Sequence, residues 1–290
     1  MKQATEAREL LTVAFGGLRL RGTYHYADVS EAAAPRPRIG VLLPNSGVLP
    51  RAATGNSAVY WADSFAKCGY PAFRFDLEGL GDSDGHAPAR VLDFLARANS
   101  GDYAPQISAI AKNIADRFDL SAVVLLAHCG GTVSAIYAAA VSLEIKGLVL
   151  LDPYFHLQIF NLERGSAAVQ ENGLPSNANL PLIACWNQLV ARDVPILALT
   201  APSFRAKGAE FDYLGYLQTP LDRERRIIVQ SIENTPHSFA EGPGKEGVRK
   251  HSEQWLREFF PLTSRQAAKQ SLDCHQPAYV SQAVHDRSLR

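Results

Sequence analysis

The sequence has few cysteines, no excess charge of either sign and no long apolar run. Its four cysteines lie far apart without a Cys-x-x-Cys pair, so their spacing predicts neither a zinc site nor a disulfide framework. The 29 basic and 29 acidic residues balance, which argues against nucleic acid or an anionic membrane surface as the main partner. No apolar run approaches the roughly 20 residues that span a bilayer, and the polar N-terminal segment has no signal-peptide core. We therefore expect a cytoplasmic protein with reduced thiols and no membrane span.

What is present is an alternation of short apolar runs with helical patterns. Such alternation predicts an α/β fold with a mostly parallel central sheet and helices on both faces. A hairpin at the sheet edge is expected around Gly16-Gly17. The predicted strands are Ile39–Leu43, Pro71–Phe75, Val123–Ala127, Gly147–Leu151, Val194–Leu199 and Arg226–Gln230. The predicted helices are about Ala58–Cys68, Tyr103–Phe118, Val133–Ala140 and Glu246–Phe260.

The stretch Val123–Tyr137 has the order strand, sharp turn, helix. At the turn it reads Ala127-His128-Cys129-Gly130-Gly131, the small-x-nucleophile-x-Gly form of a nucleophile elbow. Such a turn pushes the thiol of Cys129 clear of the sheet and offers the Gly130 N–H where negative charge develops. The alternative is a chance match, because free cysteines are usually buried apolar residues.

Polar residues follow several of the other predicted strands. They are Asn45, Ser46, Asp76, Asp152 and His237. Parallel strands end at one edge of a sheet, and active sites of such sheets lie there. His237, after the last strand, is the predicted base, whereas His128 is interpreted as a packing or pocket-wall residue. Because these polar residues are expected at the same edge as Cys129, we interpret Cys129 as a functional residue rather than a chance match.

Two segments stand apart from the alternation. Residues 153–193, between strands 6 and 7, are rich in aromatic side chains and are predicted to form a small lid that selects the substrate. The alternative is a surface excursion with no role. We predict one domain over residues 1–260, followed by a tail over residues 261–290 that is peripheral or partly disordered.

The chain resembles the α/β-hydrolase superfamily over about residues 10–260. The resemblance is carried by Leu43-Pro-Asn-Ser-Gly47, Arg74-Phe-Asp-Leu-Glu-Gly-Leu-Gly-Asp-Ser83, the elbow and Thr235-Pro-His-Ser-Phe239. It is similar in particular to hydrolases associated with exosortase systems and to biosynthetic acyl hydrolases and thioesterases. The resemblance implies Cys129 as the nucleophile, His237 as the base, and an oxyanion hole formed at Gly130, Asn45 and Ser46. It implies a structural role for the loop containing Asp76, Asp82 and Ser83.

The chain departs from the family pattern at two places. The nucleophile is Cys rather than the commoner Ser, which keeps acyl transfer available because a thiol ionises more readily than a hydroxyl. The usual acid is missing after the strand that ends at Leu199, although Asp212 follows shortly. Asp152 is the preferred triad acid and Asp212 the alternative. Asp152 could instead only cap the segment that begins at Pro153.

These residues predict an enzyme that hydrolyses an ester or thioester through a Cys-His-Asp triad and an acyl-enzyme, with no metal or cofactor. The expected partner is a small acyl substrate, free or carried on coenzyme A or a carrier protein, and the oligomeric state is left open. Three alternatives stay open. They are an acyltransferase or cyclase with the same triad, a non-hydrolytic enzyme on this fold, and a binding protein that kept the fold.

Overall fold

The computed structural model describes residues 8–27, 38–45, 47–157, 170, 173–201, 211–217 and 226–262. Within them, eight strands form one sheet: β1 Arg8–Phe15, β2 Leu18–His25, β3 Ile39–Leu43, β4 Ala72–Phe75, β5 Ala122–His128, β6 Ile145–Leu151, β7 Ile196–Thr200 and β8 Ile227–Ser231. The helices are α1 Ser57–Lys67, α2 Val91–Ser100, α3 Ala104–Phe118, α4 Gly130–Val141, α5 Leu180–Ala191, α6 Tyr213–Leu217 and α7 Gly242–Phe259, with a short 3₁₀ turn at Thr54–Asn56.

The sheet has the order β1-β2-β4-β3-β5-β6-β7-β8. Strands β1 and β2 form an antiparallel hairpin whose turn, Gly16-Gly17, has positive φ at both residues. Strand β2 pairs antiparallel with β4, and all the other pairs are parallel. The strands from β3 onward therefore end at one edge, with β5 near the centre.

The core lies in two layers, one on each face of the sheet. Strand β5 is buried along its whole length, and its alternate residues point to opposite faces. Val123 and Leu125 contribute to a cluster that contains residues of α2, α3, α4 and α5. Val124 and Leu126 contribute to a second cluster with residues of α1 and α7. The turn at Cys129 therefore follows a strand that is packed on both faces.

The predicted fold class is confirmed, and each predicted strand and helix is present with ends shifted by a few residues. Helices α2, α5 and α6 were not predicted. Helix α5 lies inside the predicted lid, but it packs against α4 and buries Leu182, Trp186 and Leu189 in the core. The lid and the domain boundary stay predictions, because residues 158–169, 171–172 and the tail from 263 lie outside the described residues. In the described part of the chain, no helix is both long and apolar enough for a membrane span.

Candidate active site

Cys129 lies in the sharp turn between β5 and α4. Its backbone has φ 54° and ψ −130°, a conformation that costs a non-glycine residue free energy. Hydrogen bonds on both sides fix the turn: the Cys129 N–H donates to the Leu151 carbonyl at 3.1 Å, and the Cys129 carbonyl accepts from Thr132 N–H at 2.9 Å and from the Thr132 hydroxyl at 2.7 Å. The strand-turn-helix geometry expected of an elbow is therefore present.

The elbow depends on glycines because the chain segments approach closely. A Cβ added to Gly131 would lie 2.6 Å from the carbonyl oxygen of Asn45, on the loop after β3. A Cβ added to Gly130 would lie 3.3 Å from Cε1 of Phe94 and 3.6 Å from the hydroxyl of Tyr154. Any side chain at Gly131 would push the two loops apart, so the small residue is a steric requirement.

Asp152 and His237 form a hydrogen-bonded pair beside the elbow. Asp152 follows β6 directly, with φ 48°, and its carboxylate is 9% exposed. His237 Nδ1 donates to Asp152 Oδ2 at 2.8 Å, and the other oxygen, Oδ1, accepts from the Ala201 N–H at 2.7 Å. Both carboxylate oxygens are thus occupied, and the Asp152 side chain has one fixed orientation.

His237 also makes a side-chain hydrogen bond with Cys129. Because Nδ1 donates to Asp152, Nε2 is the nitrogen that remains for the thiol. Burial by itself would lower the pKa of His237. The hydrogen bonds to Asp152 and Cys129 and the negative charges of those two groups outweigh burial and raise the pKa to about 9. The imidazole therefore carries a proton readily when both partners are ionised.

His128 packs against the His237 ring and is hydrogen-bonded to the His237 backbone. Its ring is buried, lies 4.8 Å from the His237 ring between centroids, and its Nε2 lies 2.6 Å from the His237 carbonyl oxygen. Burial and the nearby His237 lower the pKa of His128 to about 4, so the ring is neutral and Nε2 carries the proton that it donates. No sequence pattern could predict this bond, since its two ends are 109 residues apart.

The Asn45 side chain ties two loops together. It is 2% exposed, and its Nδ2 donates to the Leu49 carbonyl at 2.7 Å and to Asp76 Oδ1 at 3.0 Å. Its Oδ1 accepts from the Leu77 N–H. The Asn45 side chain thus holds the loop after β3 against the loop after β4, and its amide is used in hydrogen bonds within the protein. Ser46 lies outside the described residues, so the predicted oxyanion contribution of this loop stays a prediction.

Asp76 is fully buried and organises the loop after β4. It accepts hydrogen bonds from the Arg51 N–H at 2.6 Å, from the Arg51 guanidinium and from the Asp82 N–H at 3.1 Å. The Ser83 hydroxyl donates to the Asp76 carbonyl at 2.6 Å. All of these contacts lie within or between loops, which suits the structural role that the resemblance implies for Asp76, Asp82 and Ser83.

Asp212, the alternative acid, is exposed at the start of α6. Its Oδ1 accepts from the Gly215 N–H at 3.0 Å, the bond of a helix cap. The carboxylate next to His237 is that of Asp152. Among the residues that the structure describes, no group of three or more His, Cys, Asp or Glu side chains could hold a metal ion.

Comparisons with known proteins point to one fold. The family model of the alpha/beta hydrolase fold matches residues 48–173. Solved structures with the same fold include an esterase of Pyrococcus furiosus (14% identity, 87% of this chain and 91% of that chain, TM-score 0.60) and an α/β serine hydrolase without a lid from Xanthomonas campestris (14%, 88% and 96%, 0.56). Est1E of Butyrivibrio proteoclasticus, with ferulic acid bound, is also similar (13%, 84% and 98%, 0.54). No curated protein matches the sequence.

Because the sequence identities to these structures are low, the similarity shows the fold and does not identify the chemistry of the site in this chain. The family match includes the elbow and Asp152, while His237 lies beyond its end. The sheet order, the elbow geometry and the family match all indicate the same architecture: this chain has the α/β-hydrolase fold.

Proposed function

We propose that this protein is a cysteine-dependent hydrolase of esters or thioesters. The observation that supports the proposal best is the position of His237, hydrogen-bonded to Asp152 on one side and to Cys129 on the other. A finer proposal, a thioesterase of a biosynthetic pathway, rests on the resemblance to exosortase-associated hydrolases and on the choice of thiol over hydroxyl. Thioester exchange suits a sulfur nucleophile, because the attacking and leaving groups are alike.

In the first step, the Cys129 thiolate attacks the carbonyl carbon of the substrate. The C–S bond forms while the carbonyl π electrons move to oxygen, which becomes an oxyanion. In this proposal the Gly130 N–H, at the start of α4, and an N–H of the loop after Asn45 donate hydrogen bonds to this oxyanion. Collapse of the intermediate expels the alcohol or thiol, which takes the proton from His237 Nε2.

In the second step, water releases the acyl group. His237 Nε2 accepts a proton from water as its oxygen attacks the acyl-enzyme, and collapse of the second intermediate breaks the C–S bond and returns the thiolate with the free acid. Asp152 holds the imidazole with its proton on Nδ1 throughout. His128 keeps the backbone of His237 in place through its carbonyl oxygen.

Two features of the described residues suit a sulfur nucleophile. The His237 imidazole, whose pKa is raised to about 9, is hydrogen-bonded to Cys129. Cys129 also precedes α4 directly, where the partial positive charge of the helix N-terminus stabilises negative charge that develops during acyl transfer. Serine in this position would require the base to remove a far less acidic proton, so a Cys129→Ser variant is expected to be slower than wild type.

Intact-protein mass spectrometry tests the proposal directly. Wild type and Cys129→Ala are incubated with activated esters and acyl thioesters of graded size, and adducts and free acids are measured. We expect an acyl adduct on wild type alone, followed by release of free acid. Cys185→Ala, which removes a partly buried thiol of α5, is the matched control and should acylate like wild type. Turnover by Cys129→Ala at the wild-type rate would refute the nucleophile assignment.

A further inference from the structure

A buried polar network lies between strands β2 and β4 and helix α1. Arg74 of β4 is 6% exposed, and its Nε donates to Nε2 of His25 on β2 at 2.8 Å. His25 is 1% exposed, and its Nδ1 lies 2.6 Å from Oδ1 of Asp63 on α1, to which it donates. The Arg74 guanidinium is therefore held in one direction by contacts that begin on two other elements.

The same guanidinium holds the loop after β3 at its far end. Nη1 of Arg74 donates to the carbonyl oxygen of Arg51 at 3.1 Å. The Arg51 N–H donates to Oδ1 of Asp76 at 2.6 Å, and the Asn45 amide donates to that oxygen at 3.0 Å. The loop is thus fastened at Asn45 and at Arg51, and Arg74 supplies the bond to the Arg51 carbonyl.

Arg74 is a costly residue to bury at this position. Burial and the positive charges of Arg51 and Arg8 lower the pKa of Arg74 to about 10, so it still carries its charge at neutral pH. Among the described residues its hydrogen-bond acceptors are neutral, since burial and the charge of Arg74 lower the pKa of His25 to about 4. Methionine would fill a similar volume without a buried charge, but it would release the Arg51 carbonyl.

The loop that Arg74 holds packs against the elbow. The carbonyl oxygen of Asn45 lies 2.6 Å from the position of a Cβ on Gly131, the second residue of α4, so the loop and the elbow are in contact. A displacement of about 1 Å in a group that stabilises a transition state can slow a reaction by about 100-fold. The distance from the N–H groups of the loop to an oxyanion at Cys129 therefore depends on how firmly the loop is held.

This inference rests on the proposed function. We propose that Arg74 is a positioning residue for acyl transfer, which acts through the Arg51 carbonyl to place the loop after β3 where an N–H of the loop bonds the oxyanion. Because the oxyanion forms only during the reaction, loss of this contact should lower kcat more than it raises KM. Alkylation of Cys129 by iodoacetamide is a displacement at a saturated carbon and forms no oxyanion, so its rate should not depend on Arg74.

The test compares two rates at Cys129, acylation by an activated ester and alkylation by iodoacetamide, with the adducts assigned by peptide mass spectrometry. In Arg74→Met we expect acylation to slow by about 100-fold and alkylation to stay within about twofold of wild type. Arg74→Lys keeps the charge and should recover part of the acylation rate. Arg192→Met is the matched control, because Arg192 donates to the carbonyls of Ala139 and Ser142 at the end of α4 far from the elbow. Both of its rates should equal those of wild type.

Three results would overturn the proposal: an unchanged acylation rate in Arg74→Met, an equal slowing of acylation and alkylation, or an Arg192→Met variant that acylates as slowly as Arg74→Met. Hydrogen exchange gives a readout that needs no ester. The amides of residues 45–51 should exchange about tenfold faster in Arg74→Met, while those of β5 keep the wild-type rate. Equal exchange in the loop would refute the role of Arg74 even if Cys129 is not acylated. Faster exchange without acylation of wild type would support that role and count against the proposed function alone.

Discussion

Replacement of Asp152 by asparagine tests the geometry of the site most sharply. The Ala201 N–H needs an acceptor, so the single amide oxygen of the new side chain would take over the contact of Oδ1. The amide NH₂ would then face His237 Nδ1, which would have to accept a hydrogen bond rather than donate one. That change moves the imidazole proton to Nε2, the nitrogen required to take the proton from the Cys129 thiol.

We expect kcat/KM of Asp152→Asn to fall by about 10³-fold, equivalent to about 4 kcal/mol of transition-state stabilisation. The pKa of His237 should fall from about 9, because the variant removes one of the two groups that raise it. Steady-state kinetics with an activated ester gives the first quantity. The pH dependence of Cys129 alkylation by iodoacetamide, followed by mass spectrometry, reports the loss of the imidazolium beside the thiol.

Asp212→Asn is the matched control for this variant. It makes the same chemical change at an exposed carboxylate that caps α6, and asparagine caps helices nearly as well as aspartate. Its kcat/KM should stay within about twofold of wild type. A loss in Asp152→Asn of less than tenfold, or a larger loss in Asp212→Asn, would show that the Asp152–His237 bond does not orient the base.

Three further predictions concern the surroundings of the site. The free energy of unfolding should be highest near pH 6.5: the lowered pKa values of His25 and His128 reduce stability as pH falls toward about 4, and the raised pKa of His237 reduces it as pH rises toward about 9. Urea titrations from pH 4 to 10 measure this. Gly131→Ala should lower the free energy of unfolding by about 1–3 kcal/mol through the contact with the Asn45 carbonyl, as measured by urea denaturation. His128→Phe should lower kcat by about tenfold or more, because the hydrogen bond to the His237 carbonyl is lost, as steady-state kinetics would show.

Each of these predictions has its own control or contrary result. Cys129→Ala should flatten the alkaline limb of the stability curve, since the thiolate helps to raise the pKa of His237, and an unchanged limb would contradict that cause. Gly130→Ala, at the adjacent helical residue where the nearest atom to a new Cβ is a Phe94 side-chain atom at 3.3 Å, makes the same change without a backbone contact and should cost less stability than Gly131→Ala. A His128→Gln variant can still donate to the carbonyl and should recover part of the kcat that His128→Phe loses.

The strands and the elbow were predictable because their signals are local. Strand β5 is a continuous apolar run closed by small residues, and helix α4 begins at the glycines that follow. Helix α2 was missed within a long turn-rich connection, although its residues Phe94 and Leu95 pack over Gly130. The apolar face of α2 is short, and the reason for its apolar residues becomes clear only when the helix is seen packed against α4.

The sequence favoured Asp152 over Asp212 as the acid but could not decide between them. Asp152 and His237 are 85 residues apart, and their separation depends on where β6 and the last loop end at the sheet edge. The contact between His128 and the His237 carbonyl could not be predicted for the same reason, since its two ends lie in different elements. Residue types and strand positions in the sequence were enough to predict that the polar residues gather at one edge of the sheet. Which of these residues form hydrogen bonds with each other depends on how the loops pack.

The positive φ angles at Cys129 and Asp152 have a consequence for protein engineering. Two of the three proposed catalytic residues hold a backbone conformation that glycine adopts freely and that costs other residues about 1–3 kcal/mol. Cys129→Gly should therefore melt at a higher temperature than Cys129→Ala, although both are expected to be inactive. Selection of variants for thermal stability alone would favour removal of the nucleophile, so any screen for a more robust enzyme has to require turnover at every round.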